Sequence, residues 1–311
     1  DENNDENNDE NNKKIIKISN FLENEKNPEF KNIKFIFEET FRNIYTSIKF
    51  SNSGQDIKII NISSSIPEEG KSICSLFLGI NISQLSKKVL VLDTDLRKPS
   101  LHTRLDVDNI SGISNYLVSS QSDWSKYVRK HKTYNNLSFI TAGKVPPNSI
   151  TLLESKKMRS FIQELRNSNE YDFIILDCPP ILGLSDALII SNYVDASILT
   201  ISLNKVNKNF TVESLRKLSL TKKPIIGTII NSVSKEINNN NPFSSNYSYG
   251  NKYSYYSYKY MPRETENRYL SSENKIRKND SYSKEILNKS KLKDKAKIIF
   301  NSFKKWLNEW L

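Results

Sequence analysis

Apolar positions along this chain fall into two alternating spacings, one suited to helices and one to covered strands. Over 30–50, Phe37, Phe41, Ile44 and Ile48 recur every three or four residues, which predicts a helix with one buried face. A loop holding Gly54 follows. Ile57, Ile59, Ile60 and Ile62 then predict a strand over 57–63. Residues 64–70 read as a turn, and 71–85 as a helix with Ile73, Leu76, Phe77 and Ile80 on one side. The run 89–92 is wholly apolar, as expected of a strand covered on both faces.

The pattern continues with predicted strands at 137–141, 173–176, 196–202 and 225–230. Predicted helices at 149–167, after Pro146 and Pro147, and at 211–220 separate them. Strands and helices in alternation, with apolar strands, predict an α/β fold: a mostly parallel sheet flanked by helices on both faces. Ligands of such sheets bind at the carboxyl ends of the strands.

Both ends of the chain break the pattern. Residues 1–12 are Asp-Glu-Asn-Asn written three times, with six acidic groups and no basic one. The segment 1–29 reads as an acidic, low-complexity extension. The sheet domain is expected to span 30–236, with a flexible tyrosine-rich tail over 237–283. A basic amphipathic helix is expected over 284–311, where Leu292, Ala296, Ile299, Phe303, Trp306 and Trp310 recur at helical spacing among lysines. Its expected roles are docking on an anionic surface or on the protein's own domain.

Net charge is +11, with sixteen Lys/Arg against eight Asp/Glu beyond residue 231. Such charge suits nucleotide phosphates, anionic lipid or nucleic acid alike. Cys74 and Cys178 form neither a disulfide framework nor a metal-ligand spacing, so a reducing cytoplasm is expected. Both read as buried packing residues, and His102 and His131 as structural. No apolar run approaches the ~20 residues of a membrane span, and no signal-peptide pattern opens the chain.

Candidate chemistry sits at the ends of the predicted strands. Ser64-Ser65-Ile66-Pro67-Glu68-Glu69-Gly70-Lys71-Ser72 joins a strand to a helix, the context of a phosphate-binding loop. There Gly70 permits close backbone approach, and backbone N–H groups face phosphates. Lys71 reaches the terminal phosphates, and Ser72 offers Mg²⁺ a hydroxyl. The strict pattern has glycine where this chain has Ser65. Asp93 and Asp95 lie just past one buried strand, in Val89-Leu90-Val91-Leu92-Asp93-Thr94-Asp95-Leu96-Arg97-Lys98-Pro99. Asp177, in Asp177-Cys178-Pro179-Pro180, ends another. Bare carboxylates at an apolar sheet edge are too costly to be packing residues. A metal with its phosphates would neutralise them.

These motifs resemble those of the bacterial tyrosine kinases of capsule and exopolysaccharide synthesis, which are P-loop proteins of the deviant Walker type. Ser65 to Ser72 match the family's Walker A loop, Asp93 to Pro99 its A′ motif and Asp177 to Pro180 its Walker B motif. The resemblance covers roughly 38–260. It implies a nucleotide site of Ser65, Pro67, Glu69, Gly70, Lys71, Ser72 and Ile73, with Asn231 placed to read adenine. It further implies ATP and Mg²⁺ as cofactors, with Ser72 and Asp95 as metal ligands and Asp177 reaching the metal through water. Asp93 would be the base toward a tyrosine hydroxyl, and Lys71 and Asp95 would complete the catalytic set.

Tyr247, Tyr249, Tyr253, Tyr255, Tyr256, Tyr258 and Tyr260 place seven of the fifteen tyrosines within fourteen residues. They are the phosphoacceptors the resemblance implies, phosphorylated between subunits. Implied partners are other copies of the chain, a membrane-anchored activator or an N-terminal membrane half, and polysaccharide-synthesis proteins. No nucleic acid is expected. The implied location is cytoplasmic, at the inner face of the plasma membrane.

One departure concerns assembly. The family often carries Glu-x-x-Arg-x-x-Arg in the helix before the first strand, linked to an octameric ring. Here Glu39 and Arg42 are followed by Tyr45, so the ring is not implied. A related reading is a partitioning-type ATPase whose tail is only an interaction surface. That group carries a lysine four residues before Gly70, where this chain has Ile66.

Overall fold

The computed structural model describes residues 28–51, 56–120, 123–203, 206–221 and 223–231. By contact the chain divides into two units, Asp1–Glu39 with Ile237–Leu311, and Thr40–Glu236. Of the first, the described residues are 28–39, which are helical. The acidic repeat, the tyrosine cluster and the basic amphipathic segment lie outside the described residues.

The second unit is built on seven strands: β1 (Ile59–Ser64), β2 (Val89–Asp93), β3 (Arg129–Lys130), β4 (Leu137–Ile140), β5 (Phe173–Asp177), β6 (Ala196–Ser202) and β7 (Ile225–Asn231). They form one sheet in the order β3-β4-β2-β5-β1-β6-β7, parallel except where β3 runs against β4. All residues of β1, β2, β4 and β5 are buried. Each such Ile, Leu or Val contributes about 1.5–3 kcal/mol of burial. The α/β sheet read from the apolar runs is thus the one observed. The two-residue β3 is too short to leave a pattern.

Helices α1 (Pro28–Phe50) and α2 (Lys71–Gln84) precede β1 and β2. The short α3 (Leu101–Arg104) and α4 (Ile113–Val118) follow β2. Then come α5 (Ser149–Leu153), α6 (Lys156–Asn167), α7 (Asp186–Ser191) and α8 (Lys208–Ser219). Among the described residues, none is long and apolar enough to cross a membrane.

Three local features differ from expectation. First, α2 is buried at twelve of its fourteen positions rather than on one side. It lies against the sheet, and α1 also reaches it, with the Phe41 and Phe77 rings 5.8 Å apart. Gly79 lets α2 come close, since a Cβ there would meet Val91 Cγ2 at 2.7 Å. Second, the helix expected over 149–167 is two. Ser155 adopts an extended backbone and its hydroxyl accepts the Met158 N–H at 3.1 Å, starting α6 anew. Third, Tyr45 turns inward and meets Phe173 edge-on at 5.7 Å. The position that carries an arginine in the resembled motif is here a packing residue.

Candidate functional site

The strand register gathers the predicted acids. Asp93 pairs with Asp177 across β2 and β5, and Ile62 of β1 pairs with Asp177 on its other side. The phosphate-loop candidate therefore leaves the sheet beside both carboxylates. Backbone bonds join it to the segment after β5. Cys178 N–H donates to Ile62 O, Ile181 N–H to Ser64 O and Leu182 N–H to Ser65 O, at 2.9–3.1 Å.

Within the loop, the buried Glu69 carboxylate accepts the N–H of Ile66 (2.8 Å) and that of Ser202 at the end of β6 (3.0 Å). Its side chain thus braces the loop from inside, while Pro67 is exposed. Gly70 sits at φ 90° just before α2, a region open to glycine. A Cβ there would collide with Asn231 Nδ2. That amide donates to the Glu69 carbonyl at 3.0 Å, so the last residue of β7 is locked onto the loop. No side chain caps α2, whose first N–H groups are those a bound anion would use. The structure thus brings Ser65, Glu69, Gly70, Lys71, Ser72, Ile73 and Asn231 to one strand-to-helix junction, and Pro67 to its rim.

Lys71 and the three carboxylates form the charged centre. The Lys71 amine lies 2.9 Å from Asp95 Oδ2 and 3.4 Å from Ser72 Oγ. Burial alone would lower its pKa, but Asp177, Asp95 and Asp93 reverse this and hold it above the ordinary value. Asp93 and Asp95, two residues apart, are separated by the turn after β2. Asp95 Oδ1 accepts the Lys98 N–H at 3.0 Å. Asp93 accepts the N–H groups of Asp95 (3.2 Å), Ser100 (3.1 Å) and Leu101 (3.0 Å). A carboxylate offers about four acceptor positions, so roughly one remains for an incoming proton. Full burial, then the neighbouring Asp177 charge, push the Asp93 carboxyl up to about 8, against the Leu101 N–H and Lys71. Asp177 is likewise raised by burial, against the opposing pull of Lys71 and the Ser72 hydroxyl.

The donor set suits Mg²⁺ with a nucleotide. Ser72, Asp95 and Asp177 supply hard oxygens, and Asp177 Oδ2 and Ser65 Oγ are buried without a partner. Among the described residues no three His, Cys, Asp or Glu side chains form a metal cage. Mg²⁺ bound to phosphates requires only one or two protein carboxylates.

Several side chains at the site had not been singled out in the sequence. Ser75, one turn beyond Lys71, donates to Asp177 Oδ1 at 3.3 Å. The Thr94 hydroxyl donates to the Asp177 carbonyl at 2.7 Å. Arg104 approaches the same carboxylates, where burial lowers its pKa against the pull of Asp177 and Asp93. Asp186 is fully buried and accepts from Arg97 of the A′ motif. The i, i+4 spacing to Lys71 marks Ser75, and the place between two aspartates marks Thr94. Nothing local marks Arg104 or Asp186. Cys178 and Cys74 are buried, and burial pushes both thiols up to about 12.

Comparisons with known proteins bear on the same region. Residues 57–236 match the family described as AAA domain. Over 198 residues the chain is 35% identical to tyrosine-protein kinase YwqD of Bacillus subtilis, covering 64% of this chain and 82% of that protein. It is 34% identical to the putative tyrosine-protein kinase CapB of Staphylococcus aureus, covering 64% and 85%. The solved kinase domain of the Escherichia coli tyrosine kinase ETK superposes with a TM-score of 0.60 at 31% identity. That match covers 64% of this chain and 76% of that one.

Proposed function

The chain belongs to the bacterial tyrosine kinases, and on that premise we propose that it transfers the γ-phosphoryl group of ATP to tyrosines of its own C-terminal segment. It is a protein-tyrosine kinase. The observation that carries the proposal is the convergence of Lys71, Asp93, Asp95 and Asp177 beside an uncapped helix start. In this reading the loop N–H groups and Lys71 hold the phosphates. Ser72 and Asp95 would hold Mg²⁺, with Asp177 reaching it through water, and the ion would supply charge neutralisation.

Asp93 takes the proton of the tyrosine hydroxyl as the oxygen–phosphorus bond forms and the bond to the ADP oxygen breaks. A carboxyl held above its ordinary value suits that base, because a general base works best when its own pKa lies toward the working pH. Asn231 reads the adenine from the end of β7. A base fixed by three backbone N–H groups is already placed, and positioning supplies much of the rate in phosphoryl transfer.

The acceptors are Tyr247, Tyr249, Tyr253, Tyr255, Tyr256, Tyr258 and Tyr260, offered to the site of another copy. Each phosphate adds about −1.5 to −2 charges, so seven add roughly −10 to −14. That reverses the sign of a segment whose only charged residues are Lys252 and Lys259, and phosphorylation thereby releases tails from neighbouring subunits. The process regulates capsular or exopolysaccharide synthesis at the inner face of the membrane, together with a membrane-anchored activator or membrane half.

Mass spectrometry after incubation with Mg-ATP tests the assignment. Phosphate within 247–260, lost in Lys71→Ala and Asp93→Ala, is the expected result. Phosphate elsewhere, or none, would remove the tail from the mechanism. ATP turnover without any phosphotyrosine would favour a nucleotide-driven switch instead.

A further inference from the structure

We infer that Asp186 and Ser149 are positioning residues that hold the Arg97 guanidinium to bind the phosphoryl group in flight, an inference that rests on the kinase reading above. Three separate stretches meet here. Arg97 follows Asp95 by two residues, Ser149 opens α5 and Asp186 opens α7. Arg97 Nε donates to Asp186 Oδ2 at 3.0 Å and to Oδ1 at 3.2 Å. The Ser149 hydroxyl donates to the same Oδ2 at 2.6 Å.

The energetics argue against a stabilising role. The Asp186 side chain is 0% exposed, whereas Arg97 is 41% exposed. Burying a carboxylate has a large desolvation cost, and an exposed cation returns little of it. Ala187 and Ile190, also on α7, are fully buried, so an apolar residue at 186 would suit the packing better. Orientation is what the arrangement supplies. An arginine has five N–H donors in a rigid plane, and here the ε N–H alone is engaged. Among the described residues the terminal amines have no hydrogen-bonding partner. Four donors in a fixed plane match the oxygens of a phosphoryl group. Arg97 follows by two residues the Asp95 that pairs with Lys71 at 2.9 Å, and from that nearness in the chain we assign its free donors to the phosphoryl group.

A double-mutant cycle on the full chain tests this, with Mg-ATP and a synthetic peptide of residues 247–260 as acceptor. Arg97→Ala should lower kcat on the order of 10²–10³-fold, as loss of one preorganised charge donor does, and leave affinity for a fluorescent ATP analogue unchanged. Asp186→Asn and Ser149→Ala should each lower kcat less. Both losses should vanish when Arg97 is already Ala, because each residue acts through the guanidinium. Arg97→Lys should not restore the rate. Ser149→Ala carries the cycle if Asp186→Asn does not fold. The inference is overturned if Arg97→Ala keeps the wild-type kcat, or if the partner losses persist undiminished without Arg97. A wild-type chain that makes no phosphotyrosine would instead sink the kinase reading itself.

Discussion

The two ends of the central strands handle charge in opposite ways. At the amino end of β1, Asp195 Oδ2 accepts the N–H groups of Lys58 (3.0 Å) and Ile59 (2.8 Å), and Oδ1 pairs with Arg166. The Lys58 amine in turn donates to the carbonyls of Arg166 (2.8 Å) and Ser168 (2.6 Å) at the end of α6. Beside it, Asp172 accepts the Lys88 N–H at 2.8 Å. At the carboxyl end, Asp93, Asp95 and Asp177 converge on Lys71, with Asp177 Oδ2 buried and unpartnered. The first end answers its charges from within the chain and serves stability. The second leaves an acceptor unanswered within the chain, as the proposed nucleotide and metal site requires.

The sharpest way to break this contrast is Asp93→Asn. A lost general base lowers kcat about 10²–10⁴-fold. ATP binding should persist, since the Asp93 carboxylate accepts its hydrogen bonds from backbone N–H groups in the turn after β2, and losing its charge removes no donor to the phosphates. Steady-state kinetics beside nucleotide binding would check it.

The converse substitution is Asp195→Ala at the opposite end. It strands two backbone donors and a part-buried arginine, so a loss of about 2–4 kcal/mol in urea unfolding is expected, with kcat unchanged. A fall in kcat without a fall in stability would erase the distinction between the ends.

Asp172→Ala should cost less, under about 1 kcal/mol, because its side chain is 46% exposed and Lys87 lies 3.9 Å away. The smallest effect is expected of the thiols. Cys74 and Cys178 adjoin the site, yet burial holds both near 12, so neither should react with maleimide in the native chain at neutral pH. Prompt labelling would show a site far more open than described.

Much of this was legible beforehand, for a physical reason. Strands covered on both faces must be apolar throughout, so 89–92 and 173–176 stand out, and acids at their ends stand out more. Elements of six residues or fewer, such as α3, α4 and α7, carry too few turns to show a period. Asp186 and Asp195 leave no mark in the sequence because their partners, Arg97 and Arg166, lie 89 and 29 residues away in the chain. Pairing across such distances is set by topology and leaves no local pattern. The break at Ser155 had a readable cue, a serine three residues before Met158, which the continuous apolar spacing overrode.

Phosphoryl transfer to tyrosine is assigned to the under-satisfied end of the sheet. The direct measurement is phosphotyrosine on the purified chain incubated with ATP, with Mg²⁺ and with EDTA. Phosphotyrosine accumulating with Mg²⁺ and absent with EDTA is the predicted result. ATP consumed in Mg²⁺ with no phosphotyrosine formed would contradict it.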